Sequence, residues 1–393
     1  MKRFPLLILL ALLAFPLCGN AQPSFSPTAD SASNSLFFDL DAVGFLRDAE
    51  FFLPEAKGYT ASGFRLAPTL SYSCSSKLKF QAGALLTGVA GTQGLWKVEP
   101  IVSFYYRPWR PLTLIMGTLQ GSLNHHLDEP MYDRERWFYD YKEDGLQLLL
   151  NTRPLQWDLW LNWEEFLEPW TPHQERFVLG SYSNVNLIST ERIPSDQSAL
   201  SRGTNVSIPI YFTGAHRGGQ FSSLDTCIET LFNYGAALRI ARSRHAARNS
   251  QTVSVELPAY FFNNMSPQNE RYTPFTAGYA LYPQAKLQLA FAQRECSLKA
   301  GYYRAHNYIS SRGSYLFQSV SWFDSQFSQP DRHMLTATLE YRNRIDPRSV
   351  LSADAEFYYD LDLHQLDFAF GLSLQFAAHK KLNATHPACS KAF

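Results

Sequence analysis

Residues 365–376 read Gln-Leu-Asp-Phe-Ala-Phe-Gly-Leu-Ser-Leu-Gln-Phe. Successive side chains of an extended strand point to opposite faces, so Leu366, Phe368, Phe370, Leu372, Leu374 and Phe376 share one side. Gln365, Asp367, Ala369, Gly371, Ser373 and Gln375 share the other. One face is greasy throughout and the other is small or polar. In a soluble sandwich the greasy face would turn inward to a core; in a membrane barrel it turns outward to lipid and the polar face lines the interior.

The same period spreads upstream. Leu155, Trp157, Leu159, Leu161 and Trp163 oppose Gln156, Asp158, Trp160, Asn162 and Glu164. Val206, Ile208, Ile210 and Phe212 oppose Asn205, Ser207, Tyr211 and Thr213, with Pro209 as a local weakness. A long single phase runs over 274–292, despite a turn-like Tyr282-Pro283-Gln284 in its middle, and is read as one strand. Sixteen segments of this kind are expected, at about 35–45, 64–74, 77–88, 98–106, 112–121, 144–153, 155–164, 176–187, 204–213, 226–241, 251–262, 274–292, 295–306, 333–343, 348–359 and 364–376. The links between them are mostly tight after even-numbered segments and mostly long after odd-numbered ones; the long 188–203 and the short 360–363 are exceptions. Short periplasmic turns and long extracellular loops are the habit of bacterial barrels. The expected fold is therefore all-β, a transmembrane antiparallel barrel of about 16 strands.

Composition agrees. Charged residues make up 18%, below the roughly 25% of soluble domains, while aromatic residues reach 15%. Lys+Arg and Asp+Glu balance at 35 each, so no global field draws the chain to nucleic acid. After residue 21 no apolar run reaches the roughly 18–20 residues of a spanning helix. Lys2 and Arg3, the apolar stretch Leu6 to Leu17 and the small Gly19-Asn20-Ala21 read as a signal peptide over 1–21, with Cys18 also permitting a lipoprotein reading. One barrel domain over 22–376 and a loose polar tail over 377–393 complete the expected layout. Cys74, Cys227, Cys296 and Cys389 lie far apart and in no metal-ligand spacing, leaving a disulfide undecided.

The terminal Leu372-Ser373-Leu374-Gln375-Phe376 resembles the aromatic-ended last strand that the barrel-assembly machinery reads in outer-membrane proteins. The Ala21-Gln22 junction resembles exported proteins of the Bacteroidetes group, and residues 35–376 as a whole are similar to sixteen-stranded porins. The resemblance implies a place in the outer membrane of a Gram-negative cell. It names no particular family and carries no plug domain of the TonB-dependent kind.

In proteins resembling such porins the loop after the fifth strand folds inward and narrows the lumen. Here that loop is 122–144, and Asp128, Glu129, Asp133 and Glu135 are the candidates for a constriction that selects ions by charge. The inward faces of the strands carry Lys79, Arg239, Lys286, Lys299 and Arg342 against Asp158, Glu164, Glu340, Asp354, Glu356 and Asp367. These either line a water channel or pair in a filled interior. Asp128 and Glu129 with His125 and His126 suggest a metal site only weakly, because neighbouring side chains of an extended chain point apart. Ser122 near His125 is too ordinary a pair to mark catalysis. Aromatic residues near strand ends, among them Tyr105, Tyr106, Trp109 and Trp163, suit the interfacial belts of a bilayer.

The expected function is passive diffusion of small polar solutes. A structural or partner-binding barrel is the alternative, and a barrel enzyme acting on lipid or glycan is third. No enzyme activity, cofactor or metal is expected; the expected partners are outer-membrane lipid and other outer-membrane proteins.

Overall fold

The computed structural model describes residues 34–166, 174–190, 201–218, 228–246, 249–265 and 274–382. The expected signal peptide, Cys227, Cys389 and the last part of the tail lie outside the described residues; Cys74 and Cys296 are unpaired.

The strands are β1 (Ser35–Glu50), β2 (Tyr59–Ser73), β3 (Leu78–Val89), β4 (Lys97–Trp109), β5 (Leu112–Thr118), β6 (Asp144–Asn151), β7 (Leu155–Glu165), β8 (Arg176–Ser189), β9 (Ser201–Arg217), β10 (Glu229–Ala246), β11 (Asn249–Asn264), β12 (Ala277–Leu281), β13 (Gln284–Phe291), β14 (Arg294–His306), β15 (Asp331–Asp346), β16 (Ser349–Asp360) and β17 (Gln365–Lys381). Each pairs antiparallel with its neighbours, and β1 pairs with both β2 and β17. The sheet therefore closes, and no edge is left in the bilayer, where an unpaired backbone group would cost several kcal/mol.

Two details differ from the sequence reading. The segment 274–292 is two strands, broken at Tyr282-Pro283, because proline has no N–H to give the ladder. Both halves pair with β11 and β14, so β12 and β13 fill one position of a sixteen-position wall. Several strands, among them β1, β2, β9 and β11, are longer than expected, β5 and β6 are shorter, and β17 runs five residues past Phe376 to Lys381, against β1.

Burial decides between barrel and sandwich. On β17, Leu366, Phe370, Leu372 and Leu374 are 41–49% exposed on the outside, while Asp367 and Ala369 on the opposite face are fully buried. A sandwich would bury the first set. Leu70, Phe104, Met116, Leu146, Leu298 and Leu335 continue the apolar exterior around the wall.

The interior is filled on the long-loop side. Residues 119–143, between β5 and β6, fold into the barrel through a 3₁₀ turn (Ser122–His125) and a single helical turn, α1 (Arg136–Tyr139). The paired Gly117 and Gly145 at its base have φ of +99° and +154°, a backbone region in which other residues are strained. Residues 307–330, between β14 and β15, meet this loop through Asp133 N to Arg312 O at 2.7 Å and Ser314 N to Glu129 O at 2.8 Å. Met131, Tyr308, Leu316 and Phe317 from the two loops pack with Tyr260, Tyr282, Tyr303 and Met334 of the wall, all essentially inaccessible. The core of this molecule is thus made by loops inside the barrel.

Candidate active site

The short-turn side of the lumen is not filled. A cavity of about 900 Å³ opens there, with Arg107, Arg110 and Arg342 toward the turns and the 119–143 loop as its floor. The floor is held by a clasp. β7 puts Asp158 and Trp160 on its inward face, two residues apart, and the 3₁₀ turn lowers His125 between them. The ring lies flat on Trp160, 3.6 Å between centroids, where Gly180 of β8 leaves the indole room that a Cβ would take. His125 Nδ1 meets Asp158 Oδ2 at 2.8 Å and Nε2 meets Glu143 Oε2 at 2.7 Å. Tyr132 OH donates to the other oxygen of Glu143, and Gln147 Nε2 donates to Asp158 Oδ1 at 2.9 Å.

With a carboxylate at each nitrogen, both nitrogens must donate, which only the imidazolium does. Burial pushes the His125 pKa down, but Glu143 and Asp158 outweigh it and carry it up to about 9. Burial would raise Glu143; the His125 charge and the bonds from His125 and Tyr132 hold it down at about 2. His125 is therefore charged, fully buried and saturated. It has no lone pair for catalysis, and its part is to fix the turn.

Ser122 and His126, which the clasp positions, are chemically different. Both have left-handed backbone, with φ of 58° and 56°, at a cost of order 1–3 kcal/mol for residues other than glycine. Ser122 is 2% exposed, and its Oγ is buried without a hydrogen-bond partner. Its N–H donates to Glu143 Oε1 at 3.3 Å. His126 turns away from the clasp into the cavity, 5.5 Å from the Tyr182 ring. The ring is exposed within the cavity, but the surrounding protein partly desolvates it, and this, with the His125 charge, lowers its pKa. It is thus neutral at pH 7 and able to accept a proton. Ser122, with its buried and unpartnered hydroxyl, and His126, with its neutral imidazole four residues on, belong to the lining of one cavity and have the composition of a nucleophile and base.

The expected constriction residues enter the lumen, where Asp128, Glu129 and Glu135 are bonded to its wall and Asp133 is bonded within the loop itself. Asp128 accepts from Tyr260 OH at 2.7 Å and Gln284 Nε2 at 2.9 Å. Glu129 accepts from Tyr358 OH at 3.1 Å, Asp133 from Tyr139 OH at 2.9 Å, and Glu135 from Arg47 and Tyr59. Among the wall residues, Arg47 bonds Asp354 at 2.8 Å and Glu356 at 2.9 Å, and Arg134 bonds Glu340 at 2.8 Å. Lys299 lies 3.8 Å from Glu129, Arg239 bonds Glu256 at 2.7 Å, Glu164 pairs with Arg312, and Asp367 accepts from Phe52 N at 2.7 Å. Lys79 lies over the Tyr105 ring, Lys286 is half-buried beside Lys299, and Arg342 is exposed at the cavity mouth. Among the described residues no three His, Cys, Asp or Glu side chains converge as an ion site. Sequence reasoning passed over Glu143, Trp160, Arg47 and Arg65; the last two stand in the inward phase of β1 and β2, which was the available signal.

A family model described as lipid A 3'-O-deacylase-type matches residues 27–384. No curated protein matches the sequence. Among solved structures, OprB of Pseudomonas putida is similar at a TM-score of 0.50 and 10% identity, over 88% of this chain and 94% of that one. OprD of Pseudomonas aeruginosa (TM-score 0.48, 10% identity, 90% and 97% covered) and a loop-deletion mutant of OmpT, an outer-membrane protein of Vibrio cholerae (0.48, 8%, 88% and 100%), follow. At such identities the likeness is one of fold, and the protein is an outer-membrane β-barrel. The family match corrects one expectation: the family is one of enzymes, so the reading of the chain as a non-enzyme is overturned. Sequence reasoning erred because it required a catalytic motif at fixed spacing, and none is present.

Proposed function

The chain belongs to the lipid A 3'-O-deacylase-type family, and from this we propose that it is an outer-membrane ester hydrolase removing an acyl chain from an acylated glycolipid, with Ser122 as nucleophile and His126 as base. The observation that carries the residue assignment is the buried Ser122 Oγ, unpartnered on strained backbone at the cavity floor. In the reaction Ser122 Oγ attacks the ester carbonyl carbon while its proton passes to the His126 imidazole. The proton then goes to the departing alkoxide, leaving an acyl-serine. Water, deprotonated by His126, cleaves this to a free carboxylate and restores the hydroxyl. His125 does not touch substrate; its charge helps to keep His126 neutral.

Passive diffusion, the reading favoured by strand pattern alone, needs a continuous water path. Against it stand the paired groups Arg47, Glu135, Glu356 and Arg134, which cross the interior between the cavity and the long loops.

The test is labelling by a fluorophosphonate probe together with release of fatty acid from purified lipid A, followed by mass spectrometry. Wild type should be labelled at Ser122, and Ser122→Ala should lose both labelling and at least about a thousandfold in rate. Hydrolysis by Ser122→Ala at the wild-type rate would refute the assignment.

A further inference from the structure

Arg65 lies on the inward face of β2 and is 4% exposed. Its guanidinium is stacked between the rings of Trp137 and Tyr141, 4.1 Å from each centroid, and donates to the Trp137 carbonyl. None of the described residues gives it a carboxylate. The other buried arginines differ: Arg47 meets three carboxylates, Arg136 meets Asp140 and Glu164, and Arg332 lies between Glu55 and Asp360. The acid on the neighbouring wall, Asp41, stands opposite Ala67 in the β1–β2 register and makes no ion pair with Arg65. A buried cation without a counter-charge is costly, and aromatic faces offset only part of that cost.

Arg65 also lines the 900 Å³ cavity. Beside it on the same wall, Ala67, Leu85 and Ile101 form a small apolar cluster facing the lumen. These side chains are largely buried, and they give the cavity lining beside Arg65 an apolar character. The uncompensated cation and this apolar lining are adjacent, and one kind of ligand suits both: an anion with an apolar tail.

We infer that the cavity is a binding site for a fatty carboxylate, with Arg65 neutralising the head group and the Ala67, Leu85 and Ile101 patch receiving the tail. The identity of the anion rests on the hydrolase reading, since cleavage at Ser122 releases such an acid into this cavity. The guanidinium keeps N–H donors beyond the one given to Trp137, and a carboxylate can accept two of them. Held there, the product acid occupies the cavity that Ser122 also lines, so its departure toward the short turns is part of the cycle.

The experiment uses the full barrel in phosphatidylcholine nanodiscs, with 11-(dansylamino)undecanoate as probe and empty nanodiscs as the blank for bilayer partition. The probe should bind saturably, one per barrel, and be displaced by dodecanoate. Dodecanol, with the same tail and no charge, and inorganic phosphate, with charge and no tail, should each need at least about ten times the concentration. Arg65→Met should weaken binding about tenfold or more, and Leu85→Trp, which fills the patch and spares the charge, should do the same. Heat-modifiable gel migration reports whether each variant is folded; if Arg65→Met does not fold, Leu85→Trp decides. Absence of saturable binding, equal displacement by dodecanol, or wild-type affinity in a folded variant overturns the inference. Measuring Ser122→Ala alongside separates the two readings. Binding by an enzyme that hydrolyses nothing would leave the site standing and sink the hydrolase, and hydrolysis without binding would do the reverse.

Discussion

Replacing His125 with alanine removes the one cation between Glu143 and Asp158 and the ring stacked on Trp160. Breaking a buried ion pair from one side costs about 3–5 kcal/mol. The rise of the His125 pKa from 6.5 to about 9 corresponds independently to roughly 3 kcal/mol. Glu143 can take up a proton once the imidazolium is gone, which holds the cost near the lower figure. A loss of about 3 kcal/mol in docking of the 119–143 loop makes its amides exchange roughly 150-fold faster. The wall strands should keep their protection, because the barrel ladder is independent of the loop. Hydrogen exchange read by mass spectrometry separates the two. The wild type supplies a second readout with a definite sign. His125 has a folded pKa above its unfolded one, so its stabilisation is complete below 6.5 and is lost as pH rises through about 9. Glu143 is held at about 2, so its share is present above 4.5 and is lost as pH falls through 2. Loop protection, corrected for intrinsic exchange, should therefore be flat from 4.5 to 6.5 and fall in alkali. Less than about threefold change in the alanine variant, or protection independent of pH up to 10, would refute the clasp.

Two further expectations follow from the same packing. Gly180→Ala places a methyl group into the Trp160 ring; it should cost about 1–3 kcal/mol and shift tryptophan emission, with the loop loosened as in the His125 variant. The intact protein in planar bilayers should conduct little, and deletion of residues 128–140, which removes Glu129, Arg134 and Glu135 from the lumen, should raise the conductance severalfold. A wild-type barrel as conductive as the deletion would show that the paired groups do not close the path.

The wall was legible because its signal is local. A period of two, read over ten residues, states which side of a strand meets lipid, and Leu366 to Phe376 carries that information without any partner. The inward placement of Asp158, Glu340, Asp354 and Glu356 came from the same phase. Where the period was unbroken but the ladder was not, as at Tyr282-Pro283, sequence joined what proline separates. The opposite aim of His125 and His126 was also foreseeable, since adjacent side chains diverge.

The contents of the barrel were not legible. Whether charges of both signs line water or neutralise one another depends on contacts between residues far apart in the chain: Arg47 with Glu356, Lys299 with Glu129, Arg134 with Glu340. No short window holds such pairs. The strand pattern by itself determined a closed, lipid-facing wall, because alternation is a property of each strand alone. Only the tertiary structure decided that two loops fill one half of the lumen, that His125 is a bound cation, and that Ser122 and Arg65 face the space left in the other half.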